Sequence, residues 1–346
     1  MREPKHKARG KRRVDLIRDS AGSMSIPADH GNIVSVKVIG DRMYFIAQRG
    51  LTSAVMADHI DPERINADIP PVVQTVELAY GAEDPMMQRT VCAAFELIDP
   101  TYLPQSVDRD AVLTIVIEAA QSLALVKDTV QELQDHQADV RKQAEAGELS
   151  RGHVPRTPNL RGKVRQCIAA LRDVEVGIKQ VAGHFYPKEN PKDPWDKAFK
   201  PALEAALGAE NAADQIINTW AVMDRVADHR HAMIHADATK SLTVFDYGLE
   251  PDGHFCAPTI EIAHPKNPVP RHDVGDFLSR QVAEIAEVFE ALLAHMCDLN
   301  VRHLNDMFVS HVTALEEPRN GSFVVWSTRM AEGVPPLGQG QPAEPA

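Results

Sequence analysis

Aromatic side chains are scarce in this 346-residue chain: 10 Phe, 5 Tyr and 3 Trp make up only 5% of it. A sequence so poor in aromatics, and rich in Ala, Leu, Val and Glu, points away from an all-β fold and towards helices. Cysteine is scarcer still. Cys92, Cys167, Cys256 and Cys297 stand far apart with no CxxC pair among them. Neither a disulfide framework nor a Cys-based zinc site is indicated, and a reducing cytoplasm is the expected setting. No run reaches the ~18–20 apolar residues that a membrane-spanning helix needs. The run from Ala111 to Ile117 is broken by Thr114 and followed by Glu118. The N-terminus carries charge with no apolar stretch behind it, which argues against a secretory signal. Gly-rich phosphate loops and internal repeats are also absent.

Charge is abundant but uneven. In residues 1–13 seven basic residues (Arg2, Lys5, Lys7, Arg9, Lys11, Arg12 and Arg13) face Glu3 alone. This net +6 leaves −18 on the remainder of a chain whose total is −12. So acidic a body argues against a broad nucleic-acid surface, and leaves any RNA contact to a local cleft or to the basic arm. Residues 1–28 read as a disordered basic arm, in which Lys11, Arg12 and Arg13 are weak candidates for RNA contact.

Residues 29–70 read as a β-hairpin region. Ile33, Val34, Val36 and Val38, then Met43 to Ile46, flank Gly40-Asp41. From about residue 72 the pattern is helical. Val112, Val116, Ala119, Leu123, Val126, Val130, Leu133 and Val140 form one heptad-like seam, with Asp108 or Asp110 as its cap. Leu160, Val164, Ile168, Leu171, Val174, Ile178, Val181 and Phe185 form a second. Val274, Leu278, Gln281, Ile285, Phe289 (or Val288), Leu292, Met296 and Leu299 form a third. Seams of this kind are intrachain bundle contacts or a dimer face. A second hairpin is expected over 242–264, and residues 316–346 read as a largely disordered tail.

Chemistry concentrates in one helix. Asp224, Asp228, His231 and His235 follow spacings of 4, 3 and 4, which places them on one stripe. Arg225, His229 and Arg230 lie beside it. Three readings compete. A solvent-facing helix end would favour His and Arg against the dipole. A metal site could use His231 and His235, with Asp224, Asp228 or Asp237 as carboxylate ligand, although HExxH is absent. Acid–base cleavage of RNA would use the 2′-hydroxyl as nucleophile and no metal. Histidine suits the two proton transfers because its reference pKa, ~6.5, lies near working pH. The planar guanidinium of Arg230 suits the phosphoryl oxygens.

The segment Arg230-X4-His235 resembles the Arg-X4–6-His motif of HEPN domains, a helical family common in prokaryotic toxin–antitoxin and antiphage systems. The family's Arg is followed by a polar residue, often Asn, where this chain has His231. Arg225-X5-His231 also satisfies the motif. The resemblance implies a HEPN-like fold class over about residues 107–315: mainly α, an antiparallel helical bundle with one or two small β-hairpins. It implies a metal-independent endoribonuclease with no cofactor. Arg230 would polarise phosphate, His235 would serve as general acid or base, and His231 would take the second polar position. Asp224 and Asp228 would support them, and Arg225 would be a weak RNA contact. RNA, a cognate antitoxin and a second copy of the chain are the implied partners. The alternative is a non-catalytic helical scaffold that binds RNA or protein.

Overall fold

The computed structural model describes residues 11–20, 22–146, 154–186, 193–207, 213–249, 255–302 and 307–331; for 213–217 it describes the backbone alone. The chain divides into two compact units, Met1–Met87 and Gln88–Ala346. The expected mainly helical bundle with one or two small hairpins is overturned. The protein is 51% helix and 23% strand, with four antiparallel sheets of up to four strands.

The first unit holds helix α1 (Arg13–Arg18) and a four-stranded meander. Its strands are β1 (Ile33–Ile39), β2 (Arg42–Ala47), β3 (Leu51–Met56) and β4 (Val72–Leu78), paired in that order. Helix α2 (Ala57–Ile60) follows β3, and α3 (Pro85–Met87) closes the unit. The first hairpin forms where Gly40 and Asp41 predict it, with Ile39 paired to Arg42 and Gly40 at φ +59°. The helix expected from residue 72 is instead a strand. Val72-Val73-Gln74-Thr75-Val76 is rich in β-branched residues, whose stiff side chains suit a pleated surface better than a helix. β3 carries Thr52, Ser53 and Ala54, all buried because it lies inside the sheet between β2 and β4.

The second unit is built on long helices. After a π-helical turn (Gln88–Cys92) come α4 (Ala93–Leu97), α5 (Arg109–Glu145) and α6 (Leu160–Phe185). A second π turn (Trp195–Phe199) leads into α7 (Lys200–Leu207), followed by α8 (Ala213–Ile234). Asp108 caps α5 by accepting from the Ala111 amide at 3.1 Å. Ile115 packs opposite Gly177, and Glu132 pairs with Lys163, so α5 and α6 run antiparallel. The first two seams are buried throughout. Helix α5 has 37 residues to the 26 of α6, and it continues past the start of its partner. There His136 meets the Tyr247 ring edge-on, and Gln137 donates to Asp273 at 3.4 Å.

After α8 the chain makes β5 (Ser241–Phe245), β6 (Gly248–Leu249), β7 (Phe255–Cys256), β8 (Thr259–Ala263) and β9 (Val269–Asp273). Helix α9 (Val274–Leu299) follows. The sheet order is β5-β8-β9, with a separate β6-β7 pair. Leu242, Ile260 and Ile262 turn one face of the sheet into the core. Asp273 caps α9 through the Asp276 amide, and α9 packs against α5, α6 and α8. The chain then forms a long hairpin of β10 (Phe308–Arg319) and β11 (Ser322–Met330), reaching well into the segment read as a tail. Its turn is Asn320-Gly321, at φ +52° and +79°. Trp326 anchors the hairpin by donating from Nε1 to the Leu97 carbonyl at 2.8 Å and stacking on Tyr102. Among the described residues no helix is long and apolar enough to cross a membrane.

Candidate active site

Helix α8 sorts its side chains by a simple rotation. Met223, Val226, His229 and Ala232 are buried, while Asp224 and Arg230 are exposed. Arg225, Asp228 and His231 sit at the boundary. The helix ends at Ile234, yet the His235 amide still donates to the His231 carbonyl at 2.8 Å. His235 therefore occupies the place that one more helical residue would have, exposed and directly after the last turn.

The imidazoles of His231 and His235 lie with ring centroids 5.0 Å apart. A third imidazole, His264, stands edge-on to His231 at 6.1 Å. It comes from the turn after β8 and is buried. Its Nδ1 accepts from the amides of Lys266 and Asn267 at 3.3 and 3.4 Å and lies 3.5 Å from Asp228 Oδ2. The Asn267 side-chain amide donates to the same Asp228 oxygen at 2.8 Å. Thus Asp228 fastens the 264–267 turn to the helix.

The two candidate arginines have different fates. Arg225 forms an ion pair with Glu284 of α9, which commits the guanidinium to holding two helices together. Arg230 is exposed and makes no ion pair or side-chain hydrogen bond among the described residues. Of the two sequence matches to the motif, Arg230-X4-His235 therefore retains an unengaged guanidinium. Asp224 is exposed. Asp237 is committed to the turn into β5: its Oδ1 accepts from the Thr239 amide, the Thr239 hydroxyl and the Lys240 amide at 2.7–3.0 Å. These bonds hold its carboxyl below the usual range. Among the described residues no three His, Cys, Asp or Glu side chains are placed to share a metal ion.

The histidines differ electrostatically. Partial burial lowers the His231 pKa, and the nearby cationic centre of Lys240 and the imidazoles of His235 and His264 lower it further. His229, 1% exposed and packed on Phe277, is pushed down to about 4 by burial and then by Arg225. Neither of its ring nitrogens has a hydrogen-bond partner. It is a neutral core residue that separates the polar cluster from the helix interface. A side chain facing α9 in this way cannot exchange protons with a substrate.

Lys11, Arg12 and Arg13 belong to the other unit. Lys11 pairs with Asp19 at 2.7 Å and Arg12 with Asp15 at 2.9 Å, which neutralises two of the three, while Arg13 is exposed. Residues 1–10 of the basic arm lie outside the described residues.

Sequence reasoning missed His264 and Asn267. They lie 30 and 33 positions after the end of α8, in a turn whose Pro and Lys neighbours give no chemical cue. The pairing of β5 with β8, from Ser241–Ala263 onwards, brings that turn back to the helix end. Comparison with protein-family models, curated proteins and solved structures gives no match to this chain.

Proposed function

We propose that the end of α8 is the active site of a metal-independent endoribonuclease with HEPN-like chemistry, of the kind used in toxin–antitoxin and antiphage systems. One observation carries the reading. An unengaged arginine, Arg230, and an exposed histidine, His235, stand five residues apart at the end of α8, about 140° apart around the helix axis, with His231 in ring contact with His235. His235 and His231 divide the proton transfers between them: one takes the 2′-hydroxyl proton and the other protonates the leaving 5′-oxygen. Imidazole suits such exchange because its reference pKa, ~6.5, lies near working pH. Arg230 offers two parallel donors to the phosphoryl oxygens as charge builds on them. His264 stands edge-on to the His231 ring, and Asp228 holds the turn that carries His264. A homodimer would present two such clusters to one strand, and a cognate antitoxin would restrain them in the cytoplasm. The resemblance here is one of side chains; the sheets give it no support at the level of the fold.

The test is cleavage of a mixed RNA by the purified chain in EDTA. Products ending in a 2′,3′-cyclic phosphate are expected. His235→Ala and Arg230→Ala should each lower the rate by about 10²–10⁴-fold, the usual contribution of one such group. Cleavage that needs added metal, or that survives both substitutions, would sink the proposal. A second reading is RNA or partner binding without cleavage; the −18 charge outside the first 13 residues favours a partner protein over RNA within it. It predicts Arg230-dependent binding with no product.

A further inference from the structure

Strand β5 leads from the histidine cluster to a cleft. Ser241 starts the strand next to the cluster. At the far end Val244 and Asp246 line a cavity of about 530 Å³ with Arg156, Thr157, Asn159 and Arg161. The strand spans roughly 16 Å at ~3.3 Å per residue.

The donors in this cleft outnumber its acceptors. Arg161 is exposed and has no ion pair among the described residues. The Arg156 side chain is 90% exposed, and its Nε lies 3.9 Å from Asp246, too far for a hydrogen bond. Asp246 is the one carboxylate in the lining among the described residues, and it is already engaged. Both its oxygens accept from the Thr157 amide at 3.1 Å, and Oδ1 also accepts from the Tyr247 amide at 2.9 Å. Thr157, 5% exposed, lines the cleft with a buried hydroxyl that has no hydrogen-bond partner. Helix α6, 26 residues long, begins in the same lining. It has no acidic residue in its first turn, and Asn159 gives it no side-chain cap.

We infer that this cleft is a binding site for a phosphate group, held between Arg156 and Arg161 at the start of α6. Two guanidiniums and a hydroxyl donor suit a tetrahedral oxyanion with several acceptor oxygens. The site stands on these residues, independently of whether the histidine cluster cleaves RNA. If it does, the phosphate belongs to the same strand, a few nucleotides from the bond that is cut, and the acidic chain gains a local cationic track. A phosphorylated small molecule would present the same chemistry.

The test is titration of the full ¹⁵N-labelled chain with inorganic phosphate at constant ionic strength, using chloride as control. Saturable shifts of the Thr157, Arg161 and Gly162 amides are expected with phosphate alone. The Arg156→Ala/Arg161→Ala pair should weaken that binding at least tenfold. Arg161→Lys, which keeps the charge, should stay within about threefold and guards against a folding artefact. Absent shifts, equal shifts with chloride, or shifts that survive the double substitution would overturn the site. Displacement of bound phosphate by a 12-nucleotide single-stranded RNA assigns the site to a strand. Binding of phosphate without displacement assigns it to a small phosphate ester. The unsubstituted chain separates the two proposals: phosphate binding by a chain that cuts no RNA removes the nuclease reading alone, and RNA cleavage by a chain that binds no phosphate removes the cleft alone.

Discussion

Asn267 and Asp228 share a hydrogen bond of 2.8 Å, which ties the turn after β8 to the helix that carries the candidate site. The carboxylate is partly shielded, and a bond to a charged acceptor typically contributes about 1.5–3 kcal/mol. Asp228→Ala is therefore expected to lower stability to urea by roughly 1–2 kcal/mol, allowing for the remaining solvent contact. It should also loosen His264, and a rise in hydrogen exchange at the Lys266 and Asn267 amides would register this. An unchanged exchange pattern would show that the turn is held by other contacts.

His229 makes the fold sensitive to acid. Its folded pKa, about 4, is below the unfolded value of 6.5, so the unfolded chain binds the extra proton first. The stabilising contribution of the neutral ring is complete above pH 6.5 and is lost as pH falls towards 4. Its full size is roughly 3 kcal/mol at 1.36 kcal/mol per pKa unit. His229→Phe, which can pack on Phe277 without titrating, should flatten the stability curve between pH 7 and pH 4. Parallel curves for the two proteins would place the acid sensitivity elsewhere.

His231 titrates below an ordinary histidine, so its neutral form persists to lower pH. If it is the base, the acid limb of the cleavage profile should fall below ~6.5. Lys240 is one of the cationic centres that depress it. Lys240→Ala is expected to raise the His231 pKa, as read by NMR titration of the ring, and to move the acid limb upwards with it. A ring that titrates unchanged in the variant would rule out that coupling.

Trp326 fixes the long hairpin to the second unit through the Leu97 carbonyl and the Tyr102 ring. Trp326→Ala should cost about 3–5 kcal/mol, the usual penalty for emptying a buried aromatic site. Trp326→Phe should recover part of this while leaving the Leu97 carbonyl without its donor. Chemical denaturation followed by circular dichroism distinguishes them. A loss under 1 kcal/mol for the alanine form would mean that the hairpin is held by its strands alone.

The long helices could be read from the sequence because their apolar spacing is a local property. Every seam residue of α5 and α6 is buried, and so is the α9 seam from Val274 to Met296. The sheets were harder to read for identifiable reasons. β3 fills an interior position with Thr52, Ser53 and Ala54, which have no hydrophobic alternation to reveal them. β9 opens with Val269-Pro270, which looks like a break before a helix. Asn320-Gly321, in contrast, is a strong hairpin signal between Val- and Thr-bearing runs, and it was legible. Reading the polar Glu316-Glu317-Pro318 segment as the onset of a tail hid it. At the site, Arg230, His231 and His235 were accessible to spacing arguments. His264 and the Arg225–Glu284 pair were not, because each depends on which elements become neighbours in space.

Helix α5 is about 55 Å long and α6 about 39 Å, at 1.5 Å per residue. The difference leaves an overhang that α6 does not cover, and the β5-β8-β9 layer is seated on it through His136 and Gln137. The length mismatch between two helices therefore acts as a ruler. It fixes how far along α5 the sheet can dock, and with the sheet it fixes the separation between the histidines at one end of β5 and the arginines at the other.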